Sequence, residues 1–348
     1  VFYLTSPGSL STRRPMFIFG LAGDIHGFDP LVLLLIALII ETSIGEARLL
    51  FKLIPHPVVV IGGLIGWLDR KLNREERSQV DRATRGALVV CVVVSLCAGV
   101  GWAVAWLTQN HDFGWIVELF GLTSLLAGRS LYDRVRAVAL ALREGLEPAR
   151  IEVAHIVGRD PRQLDEHGVA RAAIESAAEN FCDGVVAPVF WYVLFGFPGI
   201  LVYKAVNTMD SMIGHMTPRY RAFGMTAARL DDVLNLIPAR LSGLFIAFAA
   251  AFVPTASVKS ALKIMWRDSG KHRSMNAGWP EGAAAGALGL ALAGPRRYSA
   301  QVVDDPGLGD GTAKATNKDI HRMLYLFMVA SLINAVWVCA LAIIRLSP

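Results

Sequence analysis

An all-α, polytopic membrane fold is what this sequence predicts, with about 4–6 transmembrane helices, re-entrant or broken helices, and cytoplasmic helical segments. Three observations predict it. Of the 348 residues, 54% are hydrophobic and only 18% are charged, against about 25% charged in a typical soluble domain. Two windows, Gly86 to Thr108 and Met323 to Ile344, hold no Asp, Glu, Lys or Arg, and each is long enough to cross the roughly 30 Å hydrocarbon layer. Several other apolar stretches are interrupted by Gly and Pro.

Taken in order, residues 1–15 carry Arg13 and Arg14 without a signal-peptide pattern and read as a disordered or non-native extension before Met16. Residues 16–348 read as one membrane domain. Leu31 to Ile40 is solidly apolar, its helical pattern running on to about Leu53 before Pro55 and Pro57 stop it. Val58 to Leu68 is a shorter apolar helix, tilted or re-entrant. Asp69 to Arg85 holds six Lys/Arg against four acids, whereas Gln109 to Gly114 has no Lys or Arg. The positive-inside rule therefore puts 69–85 in the cytoplasm and 109–114 outside. Arg129 to Arg171, with eight Arg, seven acids and many helix formers, reads as a cytoplasmic helical segment.

Val185 to Phe195 and Ile200 to Val206 are separated by Gly196-Phe197-Pro198-Gly199, a strong helix breaker. Two half-helices in a re-entrant hairpin, with both polar ends on one face, are favoured over a kinked full span. Ile237 to Val253 is a further span candidate, but crossing there would leave the five Lys/Arg of Lys259 to Arg273 outside, against the charge rule.

The net charge of +5 suits basic cytoplasmic loops. Nucleic-acid binding is disfavoured, because no basic run interleaves with aromatics. The four cysteines form no C-x-x-C pair, so neither a disulfide framework nor a zinc site is indicated.

Candidate chemistry concentrates between about residues 155 and 282. Arg171, Glu175, Glu179 and Asp183 recur every four residues and share a slowly drifting helix face. They form either a solvated amphipathic face or a set of oxygen ligands for a divalent cation. Asn207, Asp210, Ser211 and Gly214 come next with helical spacing, resembling a Mg²⁺ or phosphate site; interhelical hydrogen bonding is the structural alternative. In the third cluster Asp231 and Asn235 are an i,i+4 pair beside Asp232, while Arg229 and Arg240 suit phosphate oxygens or plain ion pairs. Arg159 and Asp160 sit in a turn before Pro161, and Glu281 opens a Gly/Ala-rich segment. No Walker A and no G-x-G-x-x-G is present, so any nucleotide site is unconventional.

In their order, VGRD, RAAIESAAENFCDGVVAPVFW, YKAVNTMDSMIGH, ARLDDVLNLIPARL and GWPE closely resemble the signature of adenosylcobinamide-phosphate synthases, the CbiB/CobD family. His56-Pro57 with Gly62 and the stretch Leu126 to Leu131 fit too. The likeness runs from about Leu31 to the C-terminus. One departure is the family's acidic G-D-P motif, matched here by Gly45, Glu46 and Ala47: the charge is kept and the proline is not.

The resemblance implies an acid–amine ligase of the bacterial inner membrane with a cytoplasmic site. It would join adenosylcobyric acid to aminopropanol phosphate or aminopropanol, using ATP and Mg²⁺. Homo-oligomers or association with other late cobalamin enzymes belong to the same expectation. In this scheme Glu175, Glu179, Asp183, Asp210, Asp231 and Glu281 are the catalytic acids. Of these, Glu179, Asp183 and Asp210 are the metal ligands. Arg159, Asp160, Asn180, Asn207, Ser211, Arg229, Asp232, Asn235 and Arg240 bind phosphate or orient substrate. A cation-coupled transporter is the alternative, since broken helices and intramembrane acids are also transporter features. No inverted repeat supports it.

Overall fold

The computed structural model describes residues 28–45, 55–158, 160–294, 296–298, 301–303 and 306–347. The leading extension, Glu46, Ala47 and Arg159 lie outside the described residues.

Helix α1 (Pro30–Ile44) starts where the Asp29 carboxylate caps the Leu31 and Val32 amides. Helix α2 (Pro57–Leu72) is capped by His56. Helix α3 (Gln79–Asn110) contains the first charge-free window and turns through Phe113 into α4 (Gly114–Leu125). Then come α5 (Gly128–Glu144), α6 (Leu146–Ala154) and α7 (Glu166–Phe181). A π-turn over Cys182–Val186 leads into α8 (Ala187–Ile213). The remaining helices are α9 (Met225–Leu234), α10 (Leu236–Ala249), α11 (Val258–Asp268), α12 (Gly278–Leu288) and α13 (Asn317–Leu346). Two minimal strand pairs, Leu292–Ala293 with Gly307–Leu308 and Arg296–Tyr298 with Gln301–Val303, interrupt the all-helical pattern between α12 and α13.

By length and composition, three described helical runs can cross a membrane, or four if the α9–α10 pair, bent by 48°, counts as one span. One of the three, Glu166–Ile213, is not straight. The Asn207 Nδ2 donates to Asp183 Oδ2 at 3.3 Å, although in a straight helix 24 residues separate two groups by about 36 Å. The chain folds back at Gly196, whose φ of 63° and ψ of −153° an L side chain tolerates poorly. Gly199 then lies against the Trp191 carbonyl. This is the hairpin expected from Gly196 to Gly199.

Close packing on α3 shows how deep the hairpin reaches. Near the start of α3, Gly86 abuts the Phe223 carbonyl beyond the hairpin's open end, and Gly101 abuts Pro198 at its tip. The tip therefore stops about nine residues, or roughly 13 Å, short of Asn110. The hairpin enters the layer spanned by α3 without crossing it.

Hydrophobic packing divides into two cores. One gathers α1 to α4, α8 and the end of α13 around Leu33, Val93, Tyr192 and Val338. The other gathers α5 to α7, α10 to α12 and the first half of α13 around Val138, Ile174, Ala284 and Phe327. Helix α10 runs into this second core: Arg322, near the start of α13, donates to the carbonyl of Thr255, in the connection six residues beyond the far end of α10. Its path follows the beginning of α13, away from the hairpin tip. Lys259 to Arg273 thus stays on the side of the basic Asp69–Arg85 connection, and the conflict with the charge rule disappears. A small cluster of Cys182, Ala187, Tyr203 and Ala239 lies between the cores.

Candidate active site

The polar residues of the hairpin's open end meet at this seam. Asp183 lies on the π-turn, which adds a residue to the helical repeat and re-aims the side chains of the next turn. Asn207 on the returning limb bridges Asp183 and Asp231, donating to each carboxylate at 3.3 Å. Asn235 sits at the break between α9 and α10, a break set by Pro238 three residues on. Its amide donates to Asp231 Oδ2 at 3.0 Å, and its carbonyl accepts from the Tyr203 hydroxyl at 3.0 Å. The i,i+4 pair read from sequence is therefore real, and it anchors α9 to the hairpin.

Two pockets open on either side of Asp183. The smaller, of about 90 Å³, is lined by Glu179, Asp183, Asp210, Asp231 and Asp232 together with Asn235, Ser274 and Asn276. Among the described residues, no basic side chain lines it. The larger, of about 380 Å³, is lined by Arg134, His155, Lys204, Ser130, Asn180 and Asn207 as well as Asp183. A chamber bearing basic groups thus adjoins an acidic one, with one carboxylate in both walls. Lys204 is buried, at 9% exposure, and its ammonium faces the charges of Asp183 and Asp231. Burying an ammonium is costly unless it is paired, and those two acids provide the pairing.

The other residues nominated from sequence divide. Asn180 reaches the larger pocket while its amide bonds back to Ser176. Glu175 is turned away: its carboxylate accepts from the Ala293 amide at 2.8 Å and serves the second core. Glu281 is buried on α12 with its carboxylate 3.7 Å from His272, outside the lining of both pockets. Arg240 stacks over Trp279, 4.5 Å from the ring centroid, and donates to the Leu236 carbonyl. Arg229 is largely exposed, 3.6 Å from Asp232, and Ser211 is exposed. Asp160 caps a short 3-10 turn and is held by Arg162, whose side chain and backbone amide pull its pKa down to about 2.

Sequence reasoning missed Lys204, Arg134, His155, Tyr203, Ser274 and Asn276. For Lys204 a signal existed, since a lysine inside the apolar run Ile200 to Val206 is expensive. The others become site residues only through tertiary contacts.

Among the described residues, no three His, Cys, Asp or Glu side chains converge as a preformed metal cage. Mg²⁺, however, is usually held by one or two carboxylates with water and substrate phosphates. An acidic pocket rich in carboxylate oxygens beside a cationic one fits that style of binding, with Glu179, Asp183 and Asp210 on its wall as candidate ligands.

A family model described as CobD/Cbib protein matches residues 34–327. The chain belongs to the CobD/CbiB family. Curated relatives agree. The chain is 47% identical over 318 residues to a cobalamin biosynthesis protein CobD of Sinorhizobium, covering 90% of this chain and 98% of that one. It is 48% identical to the protein of that name from Brucella anthropi, over 85% of this chain and 92% of the relative. The counterpart in Rhodobacter capsulatus is 45% identical, over 88% and 98%. No solved structure matches the chain.

Proposed function

We propose that this CobD/CbiB chain acts in cobalamin biosynthesis as an acid–amine ligase. It would form the amide between a propionate carboxylate of adenosylcobyric acid and the amine of aminopropanol phosphate or aminopropanol, at the expense of ATP. One observation carries the reading: the acidic and basic pockets share Asp183 at the seam of the two cores. A carboxylate is a poor acyl donor, so its oxygen first attacks the γ-phosphorus of ATP and ADP leaves. The amine nitrogen then attacks the acyl carbon of the resulting acyl phosphate, inorganic phosphate leaves, and the nitrogen's surplus proton passes to a carboxylate. Such chemistry is chiefly positioning and charge neutralisation.

Lys204 and Arg134 are suited to hold phosphate oxygens in the larger pocket, with Asn180 and Asn207 orienting groups on its wall. Asp183, Asp210 and Glu179 would hold Mg²⁺, which on binding neutralises phosphate charge. Asp231, braced by Asn207 and Asn235, is placed to take the proton. The bulky corrinoid has to approach from the open end of the hairpin, on the side of the basic loops. The positive-inside rule makes that side cytoplasmic in a bacterial inner membrane.

The test is to incubate detergent-purified protein with adenosylcobyric acid, aminopropanol phosphate and Mg-ATP. One ADP per amide product, followed by mass, is the expected outcome. A folded protein giving neither ADP nor product would overturn the ligase reading. Cation flux in proteoliposomes would then favour the transporter alternative.

A further inference from the structure

The acidic pocket gathers more carboxylates than one magnesium ion calls for. Five carboxylates line about 90 Å³, while Mg²⁺ sites typically use one or two. Asp183, Asp210 and Glu179 already exceed that number. Asp231 is occupied as acceptor of two side-chain amides, from Asn207 and Asn235. Asp232 remains, next to Asn276 and offset among the described residues by Arg229, an exposed guanidinium 3.6 Å away. Like charges so close are costly unless a further cation joins them.

A second, independent feature lies beside Asp232. Asn276 is 8% exposed and lines the same pocket. Its Nδ2 donates to the Asp232 backbone carbonyl at 2.8 Å, which fixes the amide's orientation. Its Oδ1 is buried and meets no hydrogen-bond donor among the described residues. An orphaned buried acceptor keeps the full desolvation penalty of its carbonyl. A ligand that supplies an N–H removes that cost.

From these two features we infer that the Asp232–Asn276 end of the acidic pocket is the recognition site for the primary ammonium of the amine substrate, separate from the cation held near Asp183. The inference rests on the ligase reading. An ammonium presents three donors in an adaptable geometry, matching a carboxylate, an amide carbonyl and the neighbouring Ser274. Pocket size restricts the group to a short, unbranched or singly branched aminoalkyl head. The site also explains how the nucleophile reaches the acyl carbon: the ammonium is held on the far side of Asp183 from the phosphates. Loss of one proton to a carboxylate of the pocket then frees the neutral amine toward the shared wall.

The test is steady-state kinetics of the full-length protein with Asp232→Asn and Asn276→Ser, each checked for folding by Tm. Losing a hydrogen bond to a charged group is expected to raise the KM for aminopropanol phosphate by about tenfold to a hundredfold. The KM for ATP and the Mg²⁺ activation constant should stay unchanged. In the wild-type protein, isopropylamine should compete with the amine substrate, while isopropanol at the same concentration should not. A Mg²⁺ constant that moves while the amine KM stays fixed would overturn the inference in favour of a purely metal-binding pocket. Equal inhibition by isopropylamine and isopropanol, or by neither, would also overturn it, even if both variants fail to fold. Wild-type protein that makes no amide at all would instead sink the ligase reading itself.

Discussion

The two cores of this molecule are built from different side chains. Around the hairpin, α3 buries nine of its 32 residues and turns Leu88, Val92, Leu96, Trp102 and Trp106 outward. That is the pattern of a helix whose surroundings are lipid rather than protein. In the second core, α12 buries ten of its eleven residues, most of them Ala and Gly, and α7 buries eleven of sixteen. Here small residues let backbones approach closely, and stability rests on dense contact. The lipid-side core can tolerate a hairpin that ends inside it, because α3 and α4 close around the tip. The dense core supplies rigid walls. The carboxylates sit where the two meet, so each half holds part of one site.

Asp183 gives the sharpest break of this arrangement, because it faces both pockets. Asp183→Asn should lower kcat for amide formation by about 10²–10³-fold, the usual loss for a preorganised electrostatic group. Its Tm should fall as well, since the replacement keeps the shape but leaves the buried Lys204 ammonium facing Asp231 alone. Turnover within threefold of wild type would mean that the seam is not the reaction site.

The next largest effect compares the two kinds of packing directly. A Cβ on Gly101 would lie 2.6 Å from the Pro198 Cα at the hairpin tip, and one on Gly286 would lie 2.8 Å from the Ala261 Cα in the dense core. Both substitutions to Ala force backbone to move, at about 1–3 kcal/mol each. Gly286→Ala should lower Tm with kinetic constants near wild type. Gly101→Ala should displace the limb that carries Lys204 and Asn207, so that kcat/KM for ATP falls as well as Tm. The reverse pattern in a matched thermal and kinetic comparison would show that the site belongs to the dense core alone.

Legibility in the sequence divides along the same line. The hairpin announced itself through Gly196 and Pro198, which have no other good use inside an apolar run. The pairing of Asp231 with Asn235 came from helical spacing. Charge-free windows gave α3 and α13 directly. By contrast, Glu175 has the same four-residue spacing as Glu179 and Asp183, yet it points to Ala293, because a face that drifts along the helix meets different neighbours at each turn. Asn276 and Ser274 lie in a polar connection with no periodicity, and only their tertiary meeting with Asp232 makes them pocket residues. The course of α10 was open for a similar reason: its apolar pattern suits lipid or a protein core equally, and its contacts with α12 and α13 decide.

A smaller effect separates the cores by pH. Asp268, at the end of α11 in the dense half, has no exposed side-chain surface and binds Arg267 and Lys271 at 2.6 Å each. The Arg267 hydrogen bonds, with those from Lys271 and the Gly309 amide, hold its carboxyl well below the usual carboxylate range. Because the folded-state pKa lies below the unfolded one, this contribution is fully present above about pH 4. It diminishes as the pH falls below that value toward the folded-state pKa. Wild-type Tm should therefore drop as the pH falls from about 4 to about 3, and Asp268→Asn should start lower and vary less over that range. Parallel curves for the two proteins would remove Asp268 from the account of the dense core.

Asp160 should show the smallest effect, and it tests the boundary of the site from outside. Its carboxylate also has a low pKa, about 2, but the cause is a local clasp at the surface by the largely exposed Arg162 two residues on. Solvent screening makes such exposed pairs weak, unlike the Asp268 pair, where no water reaches the carboxylate. The family resemblance, through the VGRD motif, nominated Asp160 as a substrate contact, whereas Asp160 is in the described lining of neither pocket. Asp160→Asn should leave Tm without a resolvable change and keep every kinetic constant within about twofold, the usual span for a surface substitution. A selective rise in the KM for the corrinoid in this variant would show that the turn before Pro161 closes over bound substrate, and would extend the site beyond the seam.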